Sequence, residues 1–242
     1  MGSYLQEHSV GSIVRGTFEI YLRNFLRVVA IYVLPILPLQ VLQLEAQEAG
    51  HTGLSALADL LNIPVGLFAY GAVTVAVSDL CLGNRLSIRR SYAKLMGPFA
   101  GRLFWTNILQ GLLMFVGMLA LVVPGLLMYA WYMFAASIVV LEGISGGAAL
   151  ARSKALGKEH YLRNLGVIAI LSSIMFAIWG SIFLLGMAIP GFVEHWSFRL
   201  YRILVYNLGI PVLLIGMVLM YYDMRVRKEG YDLARLAEDL MR

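Results

Sequence analysis

Long apolar blocks separated by short polar stretches run through the chain, and their lengths decide what each block is. A helix needs about twenty residues to cross roughly 30 Å of hydrocarbon. Stretches of that order lie at Val28–Leu44, Leu57–Leu82, Leu165–Ile189 and Ile203–Tyr222. The apolar run Leu103–Leu141 is long enough for two more, parted by a tight turn at Pro124-Gly125. The pattern therefore predicts six spans. Pro35 and Pro38 should kink the first or loosen its hydrogen bonds, and Asn62-Ile63-Pro64 should break the second near its start. Pro211 lies inside the sixth. Between the spans, Glu45–Thr52 reads as a polar turn, Pro190-Gly191 as the end of the fifth span, and Phe192–Arg202 as an aromatic loop. The tail Arg225–Arg242 is charged and is predicted helical from Tyr231 onward.

Three shorter segments have the period of amphipathic helices and are too polar to span, which suits them to the membrane interface. In Ser9–Arg27, Ile13, Val14, Phe18, Tyr21, Leu22 and Phe25 share one face, while Arg15, Glu19, Arg23 and Asn24 lie largely off it. Ser87–Met96 is the second, stopped by Gly97-Pro98, and Ser145–Arg163 is the third. Each opens on a serine and leads into a pair of spans. Each pair returns to end in one acid: Asp79, Glu142 or Asp223. Tyr21-Leu22-Arg23-Asn24 recurs as Tyr161-Leu162-Arg163-Asn164, although the middle copy lacks it. These features predict an internal threefold repeat. The fold expected is an all-α membrane protein with six transmembrane helices in three hairpin repeats, each preceded by an interfacial amphipathic helix. It forms a single integral membrane domain over 1–242, with repeat units of about 9–82, 87–143 and 145–224 and a cytoplasmic tail, 225–242.

Composition agrees with this reading. A chain of 242 residues that is 60 % hydrophobic and 14 % charged lies far outside soluble usage. No signal peptide is expected, because Glu7, Arg15, Glu19 and Arg23 interrupt the first stretch. The lone Cys81 rules out an internal disulfide and a thiolate metal cluster, and reads as a small packing residue. The net charge of +5 is spread over the ends of the apolar blocks, a pattern that fits anionic lipid and not nucleic acid. With six spans, all of the 19 basic residues except Arg199 and Arg202 fall on one side. The positive-inside rule makes that side cytoplasmic, with both termini there, and places the protein in a bacterial cytoplasmic membrane.

An acid at a membrane boundary needs a partner or water. Glu142 is expected to pair with Arg152 or to accept N–H bonds near Ser145, a candidate N-cap. Asp79 should do likewise with Arg89 or Arg90, and Asp223 closes the third copy. The alternative is that these acids face head-group water. Arg15, Arg23, Lys94, Lys158 and Arg163 are the expected contacts to anionic lipid.

Pro124-Gly125, Val140-Leu141-Glu142-Gly143, Ala149-Leu150-Ala151-Arg152-Ser153 and the close Tyr221-Tyr222-Asp223-Met224-Arg225-Val226-Arg227-Lys228-Glu229-Gly230 carry a resemblance. They look like the bacterial integral membrane domain found fused to some glycerophosphodiester phosphodiesterases and more often found alone. The resemblance covers nearly the whole chain, best from Leu121 onward. It implies a six-span helical protein of the stand-alone kind, with the phosphodiesterase domain absent and no established activity.

Catalytic constellations are not visible. His8, His51, His160 and His195 are scattered. Glu45, Glu48 and His51, with Glu194, His195 and Asp59 as possible additions, form the best metal candidate, but polar residues that merely cap spans are commoner. Ser145-Gly146-Gly147 lacks the phosphate-loop pattern. Gln40, Gln43, Asn107, Gln110 and Asn207 are the deep polar groups, with Gln110 and Asn207 expected in interhelical hydrogen bonds. Gly111, Gly117, Gly180, Gly186, Gly209 and Gly216 suit close helix contacts. The expected function is that of a non-enzymatic polytopic membrane protein without metal or cofactor, lipid-associated or a subunit of a larger membrane assembly. Its partners would be anionic lipids on the cytoplasmic side, and a membrane protein or a second copy of itself. The alternative is a transporter or channel for a lipid or small amphiphile.

Overall fold

A computed structural model describes residues 7–96, 98–189, 196–230 and 235. Among them the chain forms ten helices and no strand: α1 (Val10–Arg23), α2 (Phe25–Glu48), α3 (Thr52–Cys81), α4 (Ile88–Leu95), α5 (Pro98–Ala120), α6 (Val122–Tyr132), α7 (Ala135–Glu142), α8 (Gly146–Gly157), α9 (Tyr161–Ala188) and α10 (Trp196–Glu229). Six stretches are long and apolar enough to cross a membrane: α2, α3, α9, most of α5 and of α10, and α6 with α7 together.

These six divide into two classes. In the apolar stretches of α3, α6–α7 and α10, 44 %, 56 % and 50 % of residues are buried, against 22 %, 17 % and 18 % in α2, α5 and α9. The first three are therefore inner helices, and the others present apolar faces outward, as lipid-facing helices do. α2 packs along α3, α5 along α6, and α9 along α10, while α3 also touches α7 and α10. Small residues make this closeness possible. Ala69, Ala72 and Ala76 of α3 are fully buried, and Ala135 and Ala136 open α7. At Gly117 on α5 an added Cβ would stand 3.2 Å from the Cα of Gly125 on α6 and 2.6 Å from the Met128 sulfur.

Several boundaries depart from the sequence reading. α3 runs unbroken through Asn62-Ile63-Pro64, and α2 and α10 continue through Pro35, Pro38 and Pro211. Neighbouring helices hold these segments helical although each proline removes a donor. The α5–α6 break falls at Leu121, and Pro124 sits in the first turn of α6, where its missing N–H costs little. The expected loop 192–202 is helical from Trp196, and α10 continues through Arg225 to Glu229. Pro190, Gly191, the loop residues 192–195 and the tail helix expected from Tyr231 lie outside the described residues, Arg235 excepted.

One interruption had no proline to announce it. Between α6 and α7 the helix opens at Met133-Phe134, and Ser153 of α8 fills the gap. Its hydroxyl donates to the Trp131 carbonyl (2.7 Å) and accepts from the Phe134 N–H (3.2 Å). Backbone groups freed at depth need such a partner.

The short helices also lie differently from the interfacial arrangement expected. α1 runs back along α10: the His8 N–H meets Asp223, Thr17 packs by Gly216, and the Tyr21 hydroxyl donates to the Leu208 carbonyl (2.6 Å). α4 runs back along α3, from Arg90 beside Asp79 to Leu95 against Gly71. α8 runs back along α7 and α6, from Arg152 at Glu142 to Gly157 beside the Ala130 carbonyl. None of the three is laid across the bundle end. The buried face of α1 is Ile13, Gly16, Thr17, Ile20 and Tyr21, which puts Leu22, expected inside, 68 % exposed. Small Gly16 and Thr17 let α1 approach α10 closely, and Leu22 falls on the outward arc.

The serines that open these helices are not equivalent. Ser9 accepts the Ser12 N–H (3.2 Å) and Ser87 the Arg90 N–H (3.4 Å). Ser145 stands at the N-cap position of α8 without a side-chain cap bond, and the Gly146 N–H goes instead to Thr106 Oγ1 of α5 (2.7 Å). The repeated tetrapeptides diverge as well: Arg23 pairs with Glu19 on an exposed face, whereas Arg163 reaches Asp223.

Candidate functional site

The basic end of the bundle holds two linked charge clusters, both built on α10. Its residues at intervals of four, Tyr221, Arg225 and Glu229, face α7 and α8. Arg152 Nε donates to Glu142 Oε2 (2.9 Å), while its Nη1 pairs with Glu229 Oε1. Arg225 Nε donates to Glu229 Oε2 (3.1 Å), and its Nη1 donates to the Tyr221 hydroxyl (3.2 Å). That hydroxyl in turn donates to Glu142 Oε1 (2.9 Å). Five side chains from three helices thus close a ring in which acids and arginines alternate. Burial works against the Arg152 charge, but Glu229 and Glu142 more than offset it and hold the guanidinium pKa above its ordinary value.

Two residues along α10 the second cluster begins, where Asp223 and Arg227 turn toward α1 and α9. Asp223 is fully buried and accepts from the His8 N–H (2.6 Å), Arg163 Nη1 (2.7 Å) and Arg227 Nε (3.1 Å). Arg163 and Arg227 also donate to the His8 carbonyl, and Arg227 reaches Glu7 (2.9 Å). The segment before α1 is thereby strapped to α10. Tyr222 contacts Ser78 of α3 through their hydroxyls, and Lys228 donates to the Ala155 carbonyl (2.7 Å) and pairs with Glu159 (3.2 Å). The Lys228 ammonium lowers the Glu159 carboxyl pKa.

The Tyr221–Glu229 motif therefore has a job for most of its polar residues. The sequence pattern singles out only Asp223 there, because the charges after Tyr222 mark the end of the apolar stretch. The spacing of four through residues 221, 225 and 229 was the available signal that the helix continues.

The remaining candidates fall as follows. Asp79 is buried with Arg90 Nη2 3.5 Å away, and its carboxylate oxygens accept no bond of hydrogen-bonding geometry among the described residues. Arg89 is exposed and makes no ion pair there. Of the five expected lipid contacts, Arg15 and Lys158 are exposed, Arg23 is exposed but paired with Glu19, Lys94 is half-buried, and Arg163 is sequestered by Asp223. Buried Asp223 requires that last pairing, since its charge must be compensated.

At the opposite end Glu48 pairs with Arg199, and Gln43 Nε2 donates to Asp59 Oδ1 (2.6 Å). No three His, Cys, Asp or Glu side chains converge there or elsewhere among the described residues, while Glu194 and His195 lie outside them. Asn207 Nδ2 donates to Gln40 Oε1 (2.6 Å), an interhelical bond between α10 and α2. Gln110 makes none: its amide approaches only Met114 of its own helix (4.0 Å) and borders a cavity of about 270 Å³ with Tyr32, Tyr70 and Asn107. Gly209 and Gly216 abut Met175 and Leu171, whereas a Cβ added at Gly111 or Gly180 would meet nothing from another helix within 4 Å among the described residues.

Six membrane-length helices make this a helical multi-pass membrane protein. No protein-family model, curated protein or solved structure matches the chain.

Proposed function

We propose that this is a non-enzymatic, lipid-associated component of a bacterial cytoplasmic membrane, with its basic end and both termini cytoplasmic. The supporting observation is a division of labour among the cations. Arg152, Arg163, Arg225 and Arg227 are committed to internal carboxylates. Arg15, Arg27, Arg85, Arg89 and Lys158 are exposed and make no ion pair among the described residues. Each such cation near an anionic surface contributes about 1 kcal/mol. We read the chain as a relative of the phosphodiesterase-associated membrane domain, on the motifs quoted above.

The three-unit reading draws on the pairing of helices. Each inner helix carries toward its basic end an acid that meets a short helix or the residue leading into one: Asp79 of α3 with Arg90 of α4, Glu142 of α7 with Arg152 of α8, and Asp223 of α10 with His8 just before α1. The last pairing joins the two ends of the chain and closes the set. The paired ring and strap hold the units, and the outer cations are left for lipid.

The test is lipid enrichment. Polymer-extracted nanodiscs containing the wild type should hold more anionic phospholipid than the bulk membrane. Those containing a variant with all five exposed cations changed to Gln should match the bulk. Equal lipid composition around both proteins would overturn the proposal. A second reading, a transporter or channel for a lipid or small amphiphile, draws on the cavity beside Gln110. Lipid flux in proteoliposomes that is lost in Gln110→Ala would favour it.

A further inference from the structure

The exposed cations named above form a collar at the basic end; at the other end only two basic residues occur among the described residues, and they are treated differently. Arg199 is matched by Glu48. Arg202, one turn further along α10, makes no hydrogen bond or ion pair with any described residue, and three cavities border its side chain; the smallest, about 280 Å³, is the one it shares with the Glu48–Arg199 pair, and the other two form the site. The first, about 350 Å³, is polar, with Gln40, Gln43 and Gln47 of α2 along one wall. Their spacings of three and four put all three amides on one helix face. Gln40 Nε2 and Gln43 Oε1 are left over from the bonds to Asn207 and Asp59. The second cavity, about 440 Å³, is an aromatic groove between α9 and α10, walled by Trp179, Phe183, Met187 and Tyr206. Trp179 stacks on Tyr206 with centroids 5.1 Å apart, and its buried indole N–H has no acceptor among the described residues. Phe183 and Met187 are 67 % and 70 % exposed.

A guanidinium with no counter-charge among the described residues, set between an amide wall and an apolar groove at the end of a membrane helix, calls for an anion attached to a hydrocarbon chain. Free phosphate would leave the groove empty, and a lipid without net negative charge would leave the positive charge of Arg202 unbalanced. The cavity sizes are those of small-molecule sites.

We propose that Arg202 is the anchor of a binding site for one anionic glycerophospholipid at the end of the bundle away from the collar. The phosphodiester lies on the guanidinium, head-group hydroxyls meet the Gln40, Gln43 and Gln47 amides, and one acyl chain runs along Trp179, Phe183 and Met187. This deepens the lipid-associated reading, and it places a specific site apart from the diffuse collar.

The test is native mass spectrometry of the detergent-purified protein titrated with phosphatidylglycerol, phosphatidylcholine or inorganic phosphate. Wild type should bind one phosphatidylglycerol at least tenfold more tightly than Arg202→Gln does, with Arg202→Lys between them. Phe183→Gln should weaken the lipid as well. Phosphatidylcholine, whose phosphodiester is partly balanced by its own choline cation, should bind more weakly and show a smaller difference between wild type and Arg202→Gln. Unchanged phosphatidylglycerol affinity in Arg202→Gln overturns the site, and so does competition by inorganic phosphate at equal concentration. Because Arg202 is exposed, loss of fold is not expected, and unchanged circular dichroism checks it. The collar is tested separately: loss of nanodisc enrichment in the five-cation variant alongside unchanged binding in Arg202→Gln defeats this site and leaves the collar standing.

Discussion

Arg152 is the side chain whose removal should cost most at the basic end, and the ring explains why. It stands between two carboxylates, at Glu142 Oε2 (2.9 Å) and at Glu229 Oε1, and is itself only 26 % exposed. Arg152→Gln strands part of two charges, although Tyr221 still serves Glu142 and Arg225 still serves Glu229. Breaking a buried pair costs about 3–5 kcal/mol, and these leftover partners put the expectation at the low end, about 3 kcal/mol. Glu142→Gln leaves Arg152 its second acid and lets the amide accept the Tyr221 hydroxyl, so about 1–2 kcal/mol is expected. The double variant should cost less than the two singles added, by about 1 kcal/mol. A charge swap, Glu142→Arg with Arg152→Glu, should not rescue. The new carboxylate at position 152 would face Glu229, and the new guanidinium at 142 would lie by the Tyr221–Arg225 contact. The assay is denaturant titration of the purified protein in mixed micelles, followed by tryptophan fluorescence. Strict additivity of the neutral substitutions, or full rescue by the swap, would refute the ring.

Other expected outcomes concern single contacts. Ser153→Ala should lower stability by about 1–3 kcal/mol in the same titration, because both the Phe134 N–H and the Trp131 carbonyl lose their partner. Gly117→Ala should destabilise by about 1–3 kcal/mol through the clash with Met128 and Gly125, while Gly111→Ala, with nothing within reach, should be tolerated. Asp223→Asn should loosen the strap at His8, and hydrogen exchange over 8–23 should accelerate at least tenfold while α7 is unaffected.

What was legible in the sequence was whatever depends on length and period. The six apolar stretches, the amphipathic period of the short helices and the acids near the ends of α3 and α7 could all be read before any contact was known. Glu142 with Arg152 followed from proximity in the chain. Arg163 with Asp223 and Tyr221 with Glu142 did not, because residues that far apart meet only through the packing of whole helices. The proline breaks were overestimated at Pro64 because a local propensity cannot register the neighbours that keep α3 helical. The true break at Phe134 was missed because its cause is a serine on another helix. The lie of α1, α4 and α8 was also hidden. An apolar face suits a membrane surface and a neighbouring helix equally well, and only Gly16, Gly71 and Gly157 hinted at close packing. Arg202 stood out in the sequence only as one of two exceptions to a charge count.

Native mass spectrometry of the protein extracted gently from its own membrane tests the lipid-associated proposal most directly. Retained anionic phospholipid, with no second protein in fixed stoichiometry, is the expected result. A stoichiometric protein partner and no bound lipid would contradict it and make the chain a subunit whose function is read from that partner.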